Sequence, residues 1–600
     1  MNNEYLQSER EIKGYVEIEY SDIDNNISTG ANVTYPTEAP ICYEELTTSY
    51  DGDQKLRINY ASLEEDYFLL DGSFVLPYKP DSVQSFHNKN VGYVSNQIVA
   101  SLPDEIPITI SSISKNMDGL TLYFKDNIPA TINATFNGTL EYNITNNVKD
   151  VVSIKFDSQQ TITSISMTFS DFEYQDRRFR LSYIDFGLSD VLKDDELINF
   201  NLIENIGDLN LEFPSDQLTV NLYDEEDKFD INNPSGYANL LNDELSVKIK
   251  PHIGILTATE GIKYNDDLAV FYLKSWSNNK NQITLNCVDV LEKIKSTANA
   301  DRIGEVLLTE SLAEGIDASL ETSTGFEIDT FKNFKDNQNY LCDWYIDTMN
   351  AYEYLQQAMI YLWGYISSND DNVIINKREN SEIYNNALSL DTTLLEEPKY
   401  SVRELIKSVS ITQYNSYYVN DPKVWQSANV IYLTNSERAS QGNEVVDLGS
   451  YHDLHVEASG ISEDIGIYKT FNTSEYCPAV TTPATNITFY DLGQIDFSTS
   501  KYIKQFNDKG KEIEIDNKFV IDIGSGQHYT LNQICESLCN KINNENKKYD
   551  ISIKYTGDPS IKPNMIVPIE TQYGEKQVKV LRHTLTFNGG LTGTIEGVGD

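Results

Sequence analysis

The chain has 600 residues, with 92 acidic and 46 basic side chains and a formal net charge of −46. A field of that sign repels phosphate backbones and anionic lipid headgroups, so the sequence predicts no stable binding to nucleic acid. The length exceeds what one hydrophobic core can organise, and the hydrophobic fraction of 40% argues against disorder. We therefore expect several folded domains.

The sequence contains no recognisable targeting or membrane-spanning segment. Its start is charged and polar and lacks the apolar region of a secretory signal. No run approaches the ~20 apolar residues that cross a bilayer. The six cysteines form no CxxC pair, a pattern typical of reduced and buried thiols. These features predict a protein that is made in the cytosol and has no membrane span.

Alternation of apolar and polar residues predicts half-buried strands in the first third of the chain. The alternating runs cover residues 13–20, 119–124, 152–156, 163–169 and 179–186. Turn residues separate the runs at the spacing typical of antiparallel sandwiches. We predict an N-terminal β-rich segment at residues 1–75 and a β-sandwich at residues 76–187.

A β-rich domain and an α+β domain are predicted next, at residues 188–300 and 301–397. Strand-like runs of the first cover residues 208–213, 217–223, 245–250, 268–273 and 282–288, and a helical turn follows from Asp289. Apolar residues over 340–366 approach helical spacing, with Gly364 where a helix should stop. Residues 365–375 then predict a hairpin around an Asn-Asp turn.

The last third of the chain is again rich in predicted strands, including residues 406–412 and 429–433. Ile534, Leu538 and Ile542 recur at i, i+4 spacing, which predicts a helix over residues 531–544. We assign a second β-rich domain with insertions to residues 398–555 and a closing set of strands to residues 556–600.

An acidic turn lies between strand-like runs in the domain at 188–300. Residues 218–234 read LTVNLYDEEDKFDINNP, and LLNDELSVKI at 240–249, VFYLKSW at 270–276 and ITLNCVDVL at 283–291 follow. This order of strand, acidic turn, strands and helix start resembles the hub proteins of phage tail tips, a family that also serves contractile injection systems. Lys228 stands where those proteins usually have Gly.

The end of the chain carries a second set of motifs. YTGDP at 555–559, MIV at 565–567, QYG at 572–574 and LRHTLTFNGGLTG at 581–593 succeed one another. They are similar to the closing β-barrel of the same hub family, with Asn564 in place of a small or acidic residue. Gly589 and Gly590 allow the positive backbone angles of a tight strand exit, so we predict that they end the preceding strand.

The resemblance implies a mainly β, multidomain fold with minor α content, in which tail-tube-like β-barrel hub domains and small α+β domains follow the sandwich. It implies a structural homotrimer with pseudo-sixfold symmetry that joins the tail tube to the host-facing tip and forms the exit for DNA. The implied partners are tail tube or distal tail ring proteins, the tape measure protein and other baseplate or receptor-binding proteins. The implied location is the virion tail tip, after assembly in the host cytoplasm.

Residues 92–187 look like the β-sandwich modules that several phages of Gram-positive bacteria place ahead of the hub, similar in layout to galactose-binding jelly rolls. Such a module can bind a host glycan, so a receptor- or carbohydrate-binding tail tip protein is the alternative function. The other interpretation is a structural spacer at the rim of the tip, because the sequence assigns no aromatic trio or carboxylate pair to the module.

Each cluster of ligand-type side chains has a simpler interpretation than a metal site. Residues 224–230 could bind Ca²⁺ but lack the alternating ligands and the Gly of an EF-hand loop. His452 and His455 belong to no HExxH motif, and Cys535 and Cys539 have no second ligand pair nearby. We expect a solvated turn, a surface loop and buried thiols respectively, and no metal or cofactor.

The sequence also predicts that the chain is not an enzyme. It contains no GxSxG elbow, Walker loop or dinucleotide fingerprint. Enzymatic hubs of the resembling family usually add a peptidase or lysozyme-like domain after the hub, and this sequence ends at Asp600, soon after the closing motif. His583 is interpreted as a structural strand residue, and no residue is assigned a catalytic, cofactor-binding or metal-binding role.

Overall fold

The chain is described by a computed structural model. It covers, with short gaps, residues 12–21, 93–98, 105–208, 214–257, 261–297, 363–418, 495–522 and 531–600, and short segments or single residues elsewhere. Its helices are α1 Val290–Thr297 and α2 Leu531–Asn544, and a 3-10 turn spans Ala238–Asn242. Among the described residues, no helix is both long and apolar enough to cross a bilayer.

Most of the described chain is extended. The strands that begin before residue 210 are β1 Ile12–Glu19, β2 Asn32–Thr34, β3 Asn59–Tyr60, β4 Phe74–Val75, β5 Tyr93–Gln97, β6 Ile106–Phe124, β7 Pro129–Phe136, β8 Leu140–Ile144, β9 Val151–Phe172, β10 Arg178–Asp185, β11 Ser189–Lys193 and β12 Leu197–Asn205. Those between residues 210 and 380 are β13 Gln217–Tyr223, β14 Lys248–Thr257, β15 Gly261–Tyr264, β16 Phe271–Asn279, β17 Gln282–Val288, β18 Arg302–Ile303, β19 Ile328–Asp329, β20 Asp343–Tyr345, β21 Met349–Asn350, β22 Gly364–Asn369 and β23 Asn372–Lys377. The remaining strands are β24 Lys399–Val402, β25 Ile406–Tyr418, β26 Lys423–Ser427, β27 Leu454–Ser459, β28 Ile467–Tyr468, β29 Asn486–Asp491, β30 Ile495–Gln505, β31 Lys511–Asn517, β32 Val520–Asp522, β33 Tyr549–Tyr555, β34 Ile566–Thr571, β35 Gly574–Phe587 and β36 Leu591–Gly599.

One sheet of thirteen strands joins the beginning, middle and end of the chain. Its order is β11-β1-β14-β16-β17-β13-β12-β35-β36-β33-β24, with β15 beside β14 and β34 beside β35. We call β1, β11–β17 and α1 the first module, and β24 with β33–β36 the second module. Strand β1 lies between β11 and β14, so the start of the chain completes the first module.

Alternation in the sequence explains why the strands of the first module have one buried face. On β13, Leu218, Val220 and Leu222 point into the core, while the residues between them are partly exposed. Leu585 and Phe587 of β35 belong to the same hydrophobic cluster, although they come from the second module. The core of the first module therefore includes side chains that lie more than three hundred residues away in the sequence.

A second sheet of seven strands has the order β5-β10-β6-β9-β7-β8, with β2 beside β6. It encloses its own hydrophobic core. The predicted runs 152–156 and 163–169 are parts of one strand, β9, which pairs with β6 through two register shifts. The first shift inserts extra residues on β6 around Ser112, whose positive φ of 61° bends the strand, and the second inserts extra residues on β9 between Lys155 and Gln160. Tyr123 and Tyr183 of this sheet pack against Tyr15 and Val191 of the first module.

A small α/β unit is inserted in the sequence between β24 and β33 of the second module. Strands β30, β25 and β31 form its sheet, and α2 packs on that sheet through Cys535, Leu538, Cys539 and Ile542. The predicted helix over residues 531–544 is confirmed at the same bounds. The predicted hairpin is confirmed as β22 and β23. Cys287, Cys535 and Cys539 are buried and form no disulfide, as the sequence predicts.

The predicted helix over residues 340–366 is wrong in its first half. Asp343–Tyr345 and Met349–Asn350 are strands, whereas Tyr352, Gln356 and Met359 are helical. Strand β20 pairs with β32, nearly two hundred residues later, so long-range pairing overrides the local spacing. The predicted strands at 208–213 and 429–433 lie outside the described residues, apart from Asp208.

The mainly β, multidomain fold class is confirmed. Antiparallel pairing dominates both large sheets, and α1 and α2 supply a minor helical fraction. Within the described residues, the thirteen-stranded sheet runs from β11 to β24 without pairing these two ends, so barrel closure stays a prediction. The jelly-roll layout and the six domain boundaries also stay predictions.

The turn at 588–590 connects β35 to β36, and Gly589 has a φ of 66°. The predicted strand exit is therefore confirmed at Gly589. A Cβ at this position would have no atom within 4 Å, so a side chain is opposed by the backbone conformation and not by contacts.

We expect Gly589→Val to lower the free energy of unfolding by about 1–3 kcal/mol, measured by thermal melting. The control is Gly590→Val, whose position is equally open and lacks the positive φ; equal melting of both variants would contradict this account.

Candidate functional site at the seam between the two modules

The two modules meet where β12 pairs with β35, and we call this pairing the seam. Residues 200–205 of β12 lie antiparallel to residues 582–587 of β35. At one end the rings of Phe200 and Phe587 stack with centroids 5.3 Å apart. At the other end the Ile206 amide donates to the Leu581 carbonyl at 3.1 Å. The backbone therefore continues from one module into the next as a single sheet.

A buried charged cluster crosses the seam. Glu204 of β12 lies opposite His583 of β35, whose side chain is fully buried. His583 Nδ1 lies 3.4 Å from Glu204 Oε2, and Lys562 Nζ donates to Glu204 Oε1 at 2.7 Å. Burial raises the pKa of the Glu204 carboxyl, but Lys562 and His583 outweigh burial and hold that pKa below its ordinary value. The carboxylate of one module is thus neutralised by cations and donors of the other.

The closing motif at 555–559 continues this cluster into the second module. The Tyr555 hydroxyl lies 2.7 Å from His583 Nε2 and accepts the Asp558 amide at 3.0 Å. Tyr384 donates to Asp558 Oδ2 at 2.5 Å, and Asp558 Oδ1 accepts the Ser560 amide at 2.8 Å. Burial raises the pKa of both tyrosines, so they stay protonated and can donate. The motif fixes a loop beside the seam, and His583 lies on strand β35; its purely structural role stays a prediction.

Arg378 connects the end of β12 to the β22–β23 hairpin. Its side chain is 2% exposed, and it donates to the carbonyls of Ile206 at 2.6 Å, Gly207 at 3.3 Å and Gly364 at 3.3 Å. Glu545, which follows α2, lies 3.7 Å from the guanidinium. Burial lowers the pKa of Arg378 from its ordinary value, and Glu545 opposes that shift. One cation therefore satisfies acceptors from three separate segments of the chain.

Two carboxyl groups lie close together where β13 begins and α1 begins. Asp289 Oδ1 accepts the Leu291 amide at 3.2 Å and so caps α1, while Asp289 Oδ2 accepts the Asp216 amide at 3.0 Å. Asp216 Oδ1 accepts the Asn205 amide at 2.7 Å. Burial, with the charges of Asp289 and Glu204 added, holds the pKa of Asp216 well above its ordinary value. Burial raises the pKa of Asp289 to about 7.

A polar cleft of about 570 Å³ opens beside the seam. Its carboxyl groups are Glu204, Asp216 and Glu382, and its cations are Lys377 and Lys562. No group of three or more metal-ligating side chains occurs among the described residues. Glu204 and Lys562 pair with each other in this cleft and so connect the two modules there.

The carboxyl of Asp216 gives the seam a specific dependence on pH. An acid with a raised folded-state pKa stabilises the fold below its unfolded pKa of about 4, and that contribution is lost as the pH rises through the folded pKa. Asp216→Asn keeps an acceptor for Asn205 and removes the charge. We expect it to raise the free energy of unfolding at pH 8 by about 1–2 kcal/mol, with the smallest effect near pH 4, measured by urea titration.

Glu204→Gln is the matched control with the opposite sign. Its depressed pKa means that Glu204 stabilises the fold above its unfolded pKa and loses that contribution as the pH falls through the folded pKa. The variant should therefore be less stable than the native chain at pH 8 and approach it at low pH. Two variants with parallel stability profiles would show that these carboxyls do not have the environments described.

The acidic cluster at 224–230 forms a turn that its own side chains hold. Asp224 is buried, and its carboxylate accepts the amides of Lys228 at 2.8 Å and Phe229 at 2.7 Å. The positive φ of 53° is at Asp227, which precedes the Lys at the usual Gly position. Lys228 pairs with Asp190 of β11. The prediction of a turn is therefore confirmed. The prediction that its side chains are solvated is wrong for Asp224, whose buried carboxylate accepts two amides of the turn.

The sequence patterns predict no role for Glu204 or Arg378. Glu204 continues the inward positions of β12 after Phe200 and Leu202, so a buried acid in an alternating run is the signal that could have found it. Arg378 follows a hairpin with no such pattern. His455 lies on β27, where a surface loop was expected, and His452 lies outside the described residues.

No family model matches the chain, and no curated protein matches it. Among solved structures, it is similar to the 43 kDa tail protein of prophage MuSo2 from Shewanella oneidensis, with 10% identity and a TM-score of 0.35 over 68% of this chain and 95% of that one. The tail protein from Neisseria meningitidis MC58 shows 6% identity and a TM-score of 0.35 over 68% and 94%. The prophage tail protein gp18 from Listeria monocytogenes EGD-e shows 9% identity and a TM-score of 0.32 over 68% and 91%.

Proposed function

We propose that the chain is a structural hub subunit of a phage tail tip or baseplate and has no enzymatic role. The observation that carries the proposal is the seam, because it makes one continuous sheet from the two modules that contain the hub-like motifs. Along the strand order, the acidic turn follows β13 on one side of the seam, and the closing motif lies on the other side, in β33, β35 and β36. A protein that bears load between rings needs such continuity, since backbone pairing transmits force without a flexible linker.

Three further observations support the proposed hub. The charges at the seam are paired with one another, as Glu204 is with Lys562 and His583. Arg378 contacts three segments beside the seam, through the carbonyls of Ile206 and Gly364 and the carboxylate of Glu545. The net charge of −46 suits a channel wall that DNA passes without binding, because like charges repel. The proposed partners are a tail tube or distal ring, a tape measure protein and other baseplate or receptor-binding proteins.

The proposal includes a homotrimer in which the first and second modules alternate around a ring and give it pseudo-sixfold symmetry. Light scattering on the purified full chain should give three times the 68.1 kDa chain mass. A chain that stayed monomeric at the concentrations where tails assemble would overturn the trimer. In infected cells the chain should be found first in the host cytoplasm and then in virions.

A second candidate function, binding of a host glycan, has one observation in its favour. A cleft of about 570 Å³ lies between the seven-stranded sheet and the first module, and Lys149, Lys193 and Tyr237 line it with several asparagines. Aromatic faces and amides are suitable contacts for a neutral saccharide, since Asp150, Asp190 and Glu196 in the same cleft balance its lysines. A glycan array probed with the full chain tests this candidate, with a Lys149→Glu, Lys193→Glu variant as the control. Binding that is equal for both proteins, or absent for both, would contradict a site in this cleft.

A further inference from the structure

We propose that the side chains of Lys228 and Asp190 are joined by an isopeptide bond, a covalent modification that the folded chain forms by itself. Lys228 lies in the acidic turn after β13, and Asp190 lies on β11. The Lys228 ammonium donates to the Asp190 carboxylate, so the two reacting groups are already in contact. Lys228 stands where the hub family usually has Gly, so the bond is a property of this chain. The inference does not depend on the proposed function.

The contact between these two side chains is largely shielded from water. The side chains of Lys228 and Asp190 are 22% and 12% exposed. The rings of Tyr237 and Phe229 lie 4.6 Å and 5.8 Å from Lys228 Nζ. Burial, with the nearby charge of Lys149 added, lowers the pKa of Lys228 to about 7. About half of the amine is therefore neutral at pH 7, the form in which it acts as a nucleophile.

A backbone hydrogen bond prepares the carboxyl group of Asp190 for attack. The Val191 amide donates to Asp190 Oδ1 at 3.1 Å, whereas Lys228 contacts Oδ2. The hydrogen bond from Val191 stabilises the negative charge that develops on Oδ1 when the amine adds to Cγ. Oδ1 therefore becomes the oxygen of the new amide, and Oδ2 is the oxygen that leaves.

The reaction is a condensation that needs no oxidant, reductant or co-substrate. A proton first moves from the Lys228 ammonium to the Asp190 carboxylate, which gives an amine and a carboxylic acid. The Nζ–Cγ bond then forms and the Cγ–Oδ2 bond breaks, and Oδ2 leaves as water with the carboxyl proton and one proton of the amine. Glu196 lines the same cleft and offers a carboxylate for these proton transfers. Because the fold holds the two groups in contact, the reaction is intramolecular and correspondingly fast.

The bond connects an edge of the thirteen-stranded sheet to the turn at residues 224–230. Strand β11 is the last strand at its end of the sheet, and among the described strands it pairs with β1 alone. An edge strand opens more readily than a central strand, because its backbone is paired on one side only. A covalent bond from β11 to the turn after β13 prevents that opening.

The mass of the intact, purified full chain under denaturing conditions tests the proposal. We expect the chain to be lighter than its sequence predicts by the mass of one water. Trypsin should not cleave after Lys228, and it should leave residues 181–193 joined to residues 194–248. A chain with the full mass of its sequence would overturn the proposal.

Lys228→Arg should have the full mass of its own sequence, because a guanidinium keeps the charge and stays protonated, so it cannot attack the carboxyl group. Lys193→Arg is the matched control. Lys193 also contacts a carboxylate of this cleft, that of Asp150, but these side chains are 31% and 37% exposed to water. Lys193→Arg should therefore still lose one water.

A different reaction can also remove one water, since Asp51–Gly52 and Asp118–Gly119 are sequences at which aspartate cyclises to a succinimide. The Lys228 variant and the digest distinguish the two reactions. A loss of one water that remains in Lys228→Arg, or a native digest in which residues 181–193 separate from residues 194–248, would overturn the isopeptide bond.

Discussion

Arg378→Met should lower the free energy of unfolding by about 3–5 kcal/mol, the largest effect expected of any single change discussed for this chain. Methionine fills much of the space but cannot donate to the carbonyls of Ile206, Gly207 and Gly364, which would stay buried without this partner. Among the described residues, Glu545 would keep Lys579, at 2.6 Å, to balance its charge.

Denaturant titration followed by tryptophan fluorescence measures this loss, because the Trp363 ring lies 5.8 Å from the Arg378 guanidinium. Arg582→Met is the matched control. The Arg582 side chain is 40% exposed and its contact with Glu596 is 3.5 Å, so its removal should cost about 0–1 kcal/mol. Similar losses for the two variants would contradict the role given to Arg378.

His583→Leu should lower the free energy of unfolding by about 2–4 kcal/mol, the second largest effect. Leucine removes the contacts that connect Glu204 of the first module to Tyr555 of the second. Within the described part of the chain, Lys562 would then be the cation that still contacts the Glu204 carboxylate across the seam. Thermal melting of the full chain gives the size of the loss, and His583→Gln should recover part of it because an amide can replace one of the two contacts.

A double-mutant cycle separates the His583 contact from general damage to the core. If the imidazole and the Tyr555 hydroxyl act together, Tyr555→Phe should cost much less in the His583→Leu background than in the native chain. The expected coupling energy is about 1–2 kcal/mol. Strictly additive losses would mean that the 2.7 Å contact between these groups contributes nothing to stability.

Sequence analysis located the elements whose local signal is complete. Strands β13 and β17 match the predicted runs at both ends, because strict alternation is bounded by polar turn residues. Helix α2 matches for the same reason, since its apolar residues recur at i, i+4 spacing and pack on one sheet. In each case the buried face can be read from a single segment.

The seam could not be predicted, because it depends on contacts between distant segments. Strand β12 was missed, and its inward series passes from Phe200 and Leu202 to Glu204, an acid that a short-range pattern assigns to the surface. The fold tolerates the buried Glu204 carboxylate because Lys562 and His583, which lie near the end of the chain in sequence, contact it. For a related reason, the single strand β9 was predicted as two separate strands. Exposed residues lie between its two alternating runs, and such residues indicate a turn unless the partner strand is known.

Images of phage particles released by cells that carry the gene for this chain test the central proposal most directly. An antibody or a fused tag on the chain, seen by electron microscopy, should mark the end of the tail farthest from the capsid, with one threefold-symmetric site per particle. A label on the capsid or along the tail shaft, or purified virions that lack the chain, would contradict a tail-tip hub.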